Sequence, residues 1–507
     1  MNAFYKNKKE NNMNMKKLLA VLFAVLMVIS LVACTKSENE ETTPNNNDTV
    51  STDSGDVDPK YAYTKPDKNY AIGDEKKAVN ILVRTQSKQF HDPATPSGST
   101  VVDTAVFKRN ATVEEMFGVK FEFNDMNGYK AGQADFKTEI RNANSSGEDC
   151  YDIVSPAMFG NDLILEGVWA DLAASEYLDP TKGWWSVTYS NATRLNNKHY
   201  TLTGDLSVDM LRCMTCVYFN KGMYEDIFKD DPKYSDIYAI VDAGEWTIET
   251  MFMLSKKASA DADNDGAYTF ASDDIYGFAC QHAFLRAFPT MSGISYIEND
   301  NGDIYSNFYT TKTVDLFDLV QSTLITSNEG LAFGTDETAM IENFKQNQTL
   351  FYGASLEGTL DSVKDMTEDY GILINPKYYL EDNYVTGSGG ATIFAVPVNA
   401  PDYEMSTILL EALGYYSYVY IRPAFFEGVM KGQSARDEQS YYMLDKIRET
   451  LYIDFVHAFA NDFDIYETAF YGTVRNTNMT LTSFWNKYGS RYEKQFENFE
   501  TLLRNME

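Results

Sequence analysis

Cysteine, histidine and tryptophan are scarce in this 507-residue chain, which contains five, four and five of them. Five cysteines are too few to build a disulfide scaffold. Cys213 and Cys216 form a CxxC pair, but no second pair and no nearby histidine completes a zinc site. We therefore predict that Cys150, Cys213, Cys216 and Cys280 are small buried hydrophobic residues; a redox or disulfide role is the alternative.

Basic residues are few relative to acidic ones, with 43 lysines and arginines against 74 aspartates and glutamates and a formal net charge of -31. A surface of that sign repels phosphate backbones and anionic membrane faces. We expect no nucleic-acid partner, and we expect neutral solutes or metal ions rather than anionic ligands. Hydrophobic residues make up 44% of the chain, which is an ordinary globular composition.

Catalytic motifs are also missing. The sequence has no GxSxG elbow, no HExxH and no GxxxxGK[ST] phosphate loop. The histidines are far apart, at His91, His199, His282 and His457. We predict no catalytic residues and no enzymatic activity. Acidic pairs are plentiful, so a glycosidase with two carboxylates stays open as the enzyme alternative.

The longest apolar run lies near the start of the sequence, from Leu18 to Ala33 after Lys16 and Lys17. A positive start, an apolar middle and small residues before a cleavage point are typical of a secretory signal. The run has about 16 residues, fewer than the roughly 18 that a spanning helix needs. We predict a signal peptide over residues 1–33, with an uncleaved membrane anchor as the alternative.

The end of this run resembles the lipobox of bacterial lipoproteins, in which small residues precede a cysteine that becomes the lipid-bearing N-terminus. The resemblance implies lipidation at Cys34 and a location on the extracellular face of the cell membrane. Residues 34–77 are rich in Ser, Thr, Asn, Asp, Glu and Pro and poor in aliphatic residues. Such a segment buries little apolar surface, which predicts a flexible tether.

The pattern changes at Ala78–Arg84, a short apolar run typical of a buried strand. A helix ending at Gly118 follows, and then a strand in which Val119, Phe121 and Phe123 alternate with polar residues. Strand, helix and strand in this order predict an α/β domain. Further strands are predicted at 151–155, 197–203 and 211–220.

The sharpest local motif is an acidic loop in which aspartates alternate and Gly266 is the sixth residue. This pattern matches the first half of an EF-hand calcium loop. The twelfth residue is Ser272 rather than glutamate, so a later aspartate must complete the site. The predicted ligands of a structural calcium are Asp261, Asp263, Asp265, Ala267, Thr269 and Asp274; an Asp-rich surface turn without metal is the alternative.

Several segments appear in a characteristic order: FGVKFEF (117–123), YDIVSP (151–156), GVWADLA (167–173), NNKHYTLTGD (196–205), VYFNKGMYED (217–226), EWTIETMFMLSKKAS (245–259), DDIYGF (273–278), YGILINPK (370–377), GSGGATIFAVPVNAPD (387–402) and the run 410–447. Together with the lipobox, this order resembles the extracellular solute-binding proteins of ABC importers (family 1). The resemblance is strongest to the large sugar-binding lipoproteins of Gram-positive bacteria.

The resemblance implies an α/β, two-lobed, periplasmic-binding-protein-like fold with hinge strands and a ligand cleft between the lobes. Residues 78–210 and 350–392 would form the N-terminal lobe, and residues 215–348 and 393–505 the C-terminal lobe. The chain would cross between lobes near Asp209–Cys216, Thr349–Ala354 and Gly389–Phe394.

Cleft residues are expected on loops at the carboxyl ends of strands. The 35 tyrosines and 31 phenylalanines add aromatic faces that suit stacking on sugars. Trp246 has a competing role, because it can pack on Met251 as a hydrophobic staple before a helix capped by Thr247. The predicted ligand-binding residues are Arg84, Gln86, Met158, Phe159, Trp184, Asp205, Asp209, Trp246, Tyr352 and Trp485.

The function implied is capture of a solute, most readily an oligosaccharide, by a monomer that delivers it to ABC permease subunits without a cofactor. Two alternatives stay open at this point. One is a surface-anchored glycoside hydrolase, and the other is a sugar-sensing lipoprotein that signals to a membrane kinase.

Overall fold

The computed structural model describes residues 58–93, 100–146, 151–270, 272–300, 303–334, 336–357, 362–363, 366–430 and 438–506. The predicted signal peptide, Cys34, tether residues 34–57 and Cys150 lie outside these residues. From Asp58 onward the chain forms one compact unit. Within the described residues, no helix has both the length and the apolar character needed to cross a membrane.

The described strands form three sheets. In chain order they are β1 (Lys77–Arg84), β2 (Val119–Met126), β3 (Ile153–Ser155), β4 (Thr215–Asn220), β5 (Tyr276–Cys280), β6 (Ile297–Asp300), β7 (Asp303–Ser306), β8 (Leu331–Phe333), β9 (Thr349–Ser355) and β10 (Tyr370–Leu373). The first sheet is parallel, in the order β2-β1-β3. The second sheet has the order β10-β4-β9-β5-β8, and β4 runs antiparallel to both of its neighbours. Strands β6 and β7 pair as a hairpin.

Helices surround both larger sheets. They are α1 (Val101–Phe117), α2 (Gly132–Ser146), α3 (Val187–Ala192), α4 (Val208–Cys213), α5 (Lys221–Phe228), α6 (Ile237–Asp242), α7 (Ile248–Ala258), α8 (His282–Met291), α9 (Thr311–Val320), α10 (Glu337–Lys345), α11 (Tyr403–Tyr416), α12 (Arg422–Met430), α13 (Glu438–Glu449), α14 (Phe455–Ala458) and α15 (Leu481–Arg504). Short 3₁₀ turns occupy Pro59–Tyr61, Thr85–Phe90, Met158–Ile164 and Leu172–Ala174, and π-helical turns occupy Gln321–Ile325, Ser417–Ile421 and Tyr466–Gly472.

The predicted strand–helix–strand opening is confirmed by β1, α1 and β2. β1 is buried on both faces, as expected of the central strand of a parallel sheet. A capping box at Thr100 begins α1, and Gly118 ends it with a φ of 64°. A Cβ at Gly118 would lie 2.3 Å from the Asn69 side chain, so close packing as well as φ requires glycine there.

The predicted tether does not extend to residue 77, because residues 58–76 belong to the compact unit. Tyr61 stacks on Tyr418 and Tyr63 on Tyr415, each with ring centroids 4.6 Å apart. The composition of residues 34–77 as a whole concealed these tyrosines, which supply the apolar surface that orders the segment. The prediction of a flexible segment up to residue 77 is therefore wrong for residues 58–76.

The predicted division of the chain between two lobes is wrong after residue 349. Strands β9 and β10 flank β4 in the second sheet, so residues 349–373 do not join the first sheet. Phe394 and Ala395 instead bridge to Leu202 and Val154 beside the first sheet. The predicted crossing at Thr349–Ala354 lies inside β9. Below, "first lobe" means the first sheet with α1, α2 and α11, and "second lobe" means the second sheet with its helices.

Two predicted strands also differ from the structure. Residues 197–203 form only isolated bridges, and the first part of 211–220 belongs to α4 rather than β4. Cys216 and Cys280 are fully buried as predicted, whereas Cys213 is half-buried at the end of α4. Burial raises the pKa of all three thiols, and that of Cys213 reaches about 12. These thiols therefore stay protonated at pH 7.

Candidate functional site

A polar cluster lies where β1 ends at Arg84. The Arg84 guanidinium donates to the Asp209 carboxylate at 2.5 Å and to the Thr392 hydroxyl at 2.8 Å. The Thr392 hydroxyl in turn donates to Asp209 at 2.6 Å. The Arg84 and Asp209 side chains remain 13% and 22% exposed. Charge-assisted hydrogen bonds thus join three segments of the chain at the carboxyl edge of the first sheet while leaving the group accessible to a solute.

Two connecting segments run side by side between the first and second lobes. One leads from α4 into β4, and the other follows β10 and reaches the first sheet at Ala395, which pairs with Val154. Their backbones are joined by hydrogen bonds of 3.0 and 2.9 Å, from Thr215 N to Gly387 O and from Gly389 N to Cys213 O. Such short paired connections confine a hinge motion to few residues.

Arg212 contacts both lobes at this junction. Its guanidinium lies 5.3 Å from the Phe90 ring centroid and donates to the Glu357 carboxylate at 2.6 Å. Phe90 lies in the turn after β1 in the first lobe, and Glu357 lies just after β9 in the second lobe. A change in the angle between the lobes must therefore alter at least one of these contacts.

The edge of the second sheet where β5 and β8 end carries an aromatic and cationic group. Helix α8 begins with His282, two residues after β5 ends. Its Nδ1 lies 2.5 Å from the Tyr471 hydroxyl, and its ring packs edge-on to Phe333 with centroids 5.1 Å apart. Burial lowers the pKa of His282, so the imidazole is neutral at pH 7 and offers one donor and one acceptor.

Two arginines lie against the same tyrosine. The guanidiniums of Arg286 and Arg475 are 3.9 and 4.1 Å from the Tyr471 ring centroid, and Arg286 also pairs with Glu467 at 2.9 Å. We call these residues the Tyr471 cluster: His282, Arg286, Phe333, Glu467, Tyr471 and Arg475. A groove of about 490 Å³ begins at Glu467 and Arg475 and continues along aromatic side chains of α15, which are Phe484, Tyr488 and Tyr492. This volume is in the range of small-molecule sites.

Half of the predicted ligand-binding residues lie in the core instead. These side chains contact other buried residues. For example, Trp246 donates to Ile374 O at 2.9 Å, and Tyr352 stacks on Tyr218 with ring centroids 6.2 Å apart. The predictions are wrong because these rings and this carboxylate serve packing and ion pairing rather than exposure to a solute. The residues concerned are Phe159, Trp184, Asp205, Trp246 and Tyr352, none more than 7% exposed. The competing interpretation of Trp246 as a packing residue before a Thr247-capped helix agrees with the structure.

The remaining predicted residues divide into two places. Arg84, Gln86, Met158 and Asp209 lie at or just beyond the carboxyl edge of the first sheet and stay predictions. Trp485 lies on α15, where it stacks on Tyr309 with centroids 5.3 Å apart.

Sequence reasoning missed Arg212, His282 and Tyr471. The rule that selected residues after strand ends would have found His282 only if β5 had been predicted, because His282 comes two residues after that strand ends. No local signal marks Tyr471, which meets His282 from 189 residues away.

The acidic loop brings its first three aspartates together. One carboxylate oxygen from each of Asp261, Asp263 and Asp265 lies within 4.8 Å of the others. Gly266 has a φ of 83° and donates its N–H to Asp261 at 2.9 Å. Asp261 Oδ1 is buried and has no hydrogen-bond partner. Oxygen ligands at this spacing fit a hard cation such as calcium.

Asp274 has a different role from the predicted one. Its carboxylate accepts hydrogen bonds from the Ser272 hydroxyl and from the backbone N–H groups of Ala262 and Thr269, at 2.5, 2.9 and 3.0 Å. These bonds, led by that of Ser272, hold the pKa of Asp274 below its usual range. Because these donors engage both of its oxygens, Asp274 closes the loop rather than completing a ligand set.

Solved solute-binding proteins share this fold. The GacH receptor of Streptomyces glaucescens, solved without ligand and with acarbose, has a TM-score of 0.52 and 11% identity over 83% of this chain and 99% of its own. A cyclo/maltodextrin-binding protein complexed with maltotetraose has a TM-score of 0.51 and 10% identity over 85% and 97% of the two chains. UgpB from Mycobacterium tuberculosis, in complex with glycerophosphocholine, has a TM-score of 0.52 and 13% identity over 83% and 99%.

No protein-family model matches this chain, and no curated protein matches it by sequence. The structural likeness covers most of the chain, so the chain has the two-lobed α/β fold of periplasmic-binding-protein-like solute-binding proteins. The predicted fold class is confirmed.

Proposed function

We propose that this protein is an extracellular solute-binding protein that captures an oligosaccharide and delivers it to the permease subunits of an ABC importer. The observation that carries the proposal is the pair of connecting segments between two α/β sheets, with polar and aromatic side chains at the carboxyl edge of each. A joint of few residues lets rigid lobes close on a solute, and the solute stabilises the closed form by its higher affinity for it.

An oligosaccharide suits the side chains at these edges. Sugars present C–H faces that stack on aromatic rings and hydroxyls that bond to charged and amide groups. The Tyr471 cluster and the groove beside it supply rings, guanidiniums and a carboxylate together. The structural neighbours bind acarbose and maltotetraose in two cases and glycerophosphocholine in the third. The net charge of -31 favours neutral sugars over anionic solutes.

The first 57 residues complete this proposal. Residues 1–33 direct export and are removed, Cys34 carries lipid, and residues 35–57 connect the anchor to the compact unit. Incorporation of a radiolabelled fatty acid in the native host tests this step. We expect labelling of the wild type and none of Cys34→Ser, while Cys213→Ser remains labelled. Labelling of Cys34→Ser would contradict the proposal.

We also propose that the acidic loop binds calcium as a structural ion, without a part in solute chemistry. Asp261, Asp263 and Asp265 supply the ligands. An ion that binds only the folded protein raises the unfolding midpoint with its concentration. We expect calcium to raise the midpoint of the wild type and of Asp273→Asn, an exposed neighbour of the loop, but not that of Asp263→Asn. An equal rise in all three proteins would overturn this part.

The main experiment uses residues 35–507, which contain the whole compact unit. Thermal unfolding is followed with maltotetraose, acarbose, cyclic maltodextrins and glycerophosphocholine, and each ligand is analysed afterwards for cleavage. We expect an oligosaccharide to raise the midpoint unchanged, and X-ray scattering to show a smaller radius of gyration with that ligand. Cleaved sugar would assign a hydrolase instead, and a shift with glycerophosphocholine alone would remove the carbohydrate assignment.

A pair of matched variants locates the site. Arg475→Ala removes an exposed guanidinium from the Tyr471 cluster, and Arg141→Ala removes one on α2 that pairs only with Glu166 among the described residues. We expect Arg475→Ala to weaken binding by roughly tenfold, the loss of one charge-assisted hydrogen bond. Arg141→Ala should bind as the wild type does. Equal affinity of both variants would place the solute elsewhere.

A further inference from the structure

Arg109 is a buried cation without a carboxylate partner among the described residues. It lies on α1 with 1% of its surface exposed. Its Nε and Nη2 both donate to the Asn110 side-chain oxygen, at 3.0 and 2.7 Å, whereas Nη1 is buried and has no partner. Burial lowers the pKa of Arg109 to about 9, so the guanidinium is still charged at pH 7. An uncompensated charge in the interior is strongly unfavourable.

A small enclosed cavity adjoins this guanidinium. The centre of a water-sized sphere can occupy about 20 Å³ of this cavity. That is enough room for a single water or one monoatomic ion. Apart from His91, Arg109 and Asn110 the lining is apolar and includes Ile153, Phe394 and Leu410. No acidic side chain lines the cavity, so its electrostatic potential is set by the cation.

His91 adds a second polar group. Its carbonyl accepts from Asn110 Nδ2 at 2.7 Å, and its Nε2 lies 3.5 Å from the Ser155 hydroxyl at the end of β3. Burial, together with the charges of Arg109 and Arg84, lowers the pKa of His91 to about 3. The ring is therefore neutral at pH 7, and its surroundings are electropositive although the protein as a whole carries a formal charge of -31.

We propose that this cavity binds one small monoatomic anion, a halide such as chloride, against Nη1 of Arg109. The anion neutralises the guanidinium and occupies space that the apolar side chains leave. Sulfate, phosphate and organic anions are too large for the cavity. The cavity lies between the first sheet and α11, because Ile81 and Ile153 of the sheet and Leu410 of the helix line it. The anion is independent of the solute proposed above.

The proposal is tested by thermal unfolding in sodium chloride and in sodium gluconate at equal ionic strength, which separates binding from screening. Above half-saturation we expect the midpoint to rise by roughly 1 to 3 °C for each tenfold increase in chloride, with no such rise in gluconate. Arg109→Met should lose the difference between the two salts, and Arg141→Met, which removes an exposed arginine, should keep it. Equal midpoints of the wild type in both salts would overturn the proposal.

Crystals of the wild type grown in sodium bromide provide a second measurement that does not depend on the folding of a variant. We expect an anomalous bromide peak within hydrogen-bond distance of Arg109 Nη1. A water there in place of bromide would overturn the proposal. A bromide peak without a chloride-specific rise in the midpoint would mean binding at crystal concentration only, and would also overturn it.

Discussion

Among the described residues, arginine side chains are buried in two places, and each place compensates the charge in a different way. Arg448 on α13 donates to Asp205 at 2.6 Å, and Arg422 lies 3.9 Å from the other oxygen of the same fully buried carboxylate. Arg109 is as deeply buried, but the only acceptor that its guanidinium has among the residues described by the structure is the neutral side chain of Asn110.

The difference lies in what each arginine connects. Asp205 and Arg448 are 243 residues apart in sequence, so their ion pair joins the segment before α4 to α13. Arg109 bonds to its own neighbour in sequence and, through Asn110, to the turn at His91. A buried pair holds distant segments in register, whereas a buried single charge leaves bonding capacity for a ligand.

Glu411 on α11 is the acidic counterpart of Arg109. It is 5% exposed and accepts a hydrogen bond from the Trp185 indole at 2.8 Å. Burial raises the pKa of Glu411 to about 7. Glu411 lies next to Leu410 in sequence, but only Leu410 and Leu413 of this helix line the cavity beside Arg109. Helical geometry turns the carboxylate away from the cation that it would otherwise neutralise.

The largest effect is expected from Asp205→Asn. This change leaves Arg448 and Arg422 without their shared carboxylate, and we expect the free energy of unfolding to fall by about 3 to 5 kcal/mol. Urea unfolding measures it. The matched control is Glu166→Gln, which breaks an exposed pair with Arg141 and should cost about 1 kcal/mol or less. If both variants lose the same stability, the distinction between paired and unpaired burial fails.

A smaller effect is expected from the titration of Glu411, which should change the free energy of unfolding by roughly 2 to 3 kcal/mol with pH. Between the ordinary pKa of glutamate and about 7, the folded protein keeps a proton that the unfolded chain has lost, so stability falls as pH rises through this range. Glu411→Gln should therefore equal the wild type at pH 4 and exceed it at pH 8. Urea unfolding at both values measures this.

The control for that experiment is Glu404→Gln, an exposed glutamate on the same helix. Its stability relative to the wild type should change little between the two pH values. A parallel fall in the wild type and Glu411→Gln would show that other groups cause the pH dependence.

The smallest effect is expected from Arg109→Met, which tests the comparison between the paired and the unpaired buried arginines directly. In gluconate without halide, Arg109→Met should be at least as stable as the wild type, by about 1 kcal/mol, because replacing an uncompensated buried charge with an apolar side chain removes its desolvation cost. In saturating chloride this advantage should vanish. Urea unfolding in the two salts measures it, and a variant that is several kcal/mol less stable in both would show that Arg109 is already compensated by the protein.

Local patterns predicted elements well where neighbours in sequence decide the conformation. The alternation after Gly118, the glycine that ends α1 and the Thr247 cap are all present because they depend on backbone conformation within one or two turns. The loop at Asp261 brings its aspartates together for the same reason.

The candidate site was predicted less well. Arg84 and Asp209 were both predicted as cleft residues, and the structure joins them by a hydrogen bond, but a role of either in binding stays a prediction. Trp184 and Tyr352 were misplaced, because an aromatic side chain is equally suited to a core and to a cleft. His282 and Tyr471 form one group only through contact between distant segments.

The sequence by itself determined the α/β composition, the end of β1, the end of α1, the start of β2 and the acidic loop, because hydrophobic periodicity, capping and turn residues act over short distances. Only the tertiary structure decided that β9 and β10 join β4 rather than the first sheet, and which buried arginines meet a carboxylate. These strand partners and this ion pair are chosen by packing between segments more than a hundred residues apart, and no local pattern records that choice.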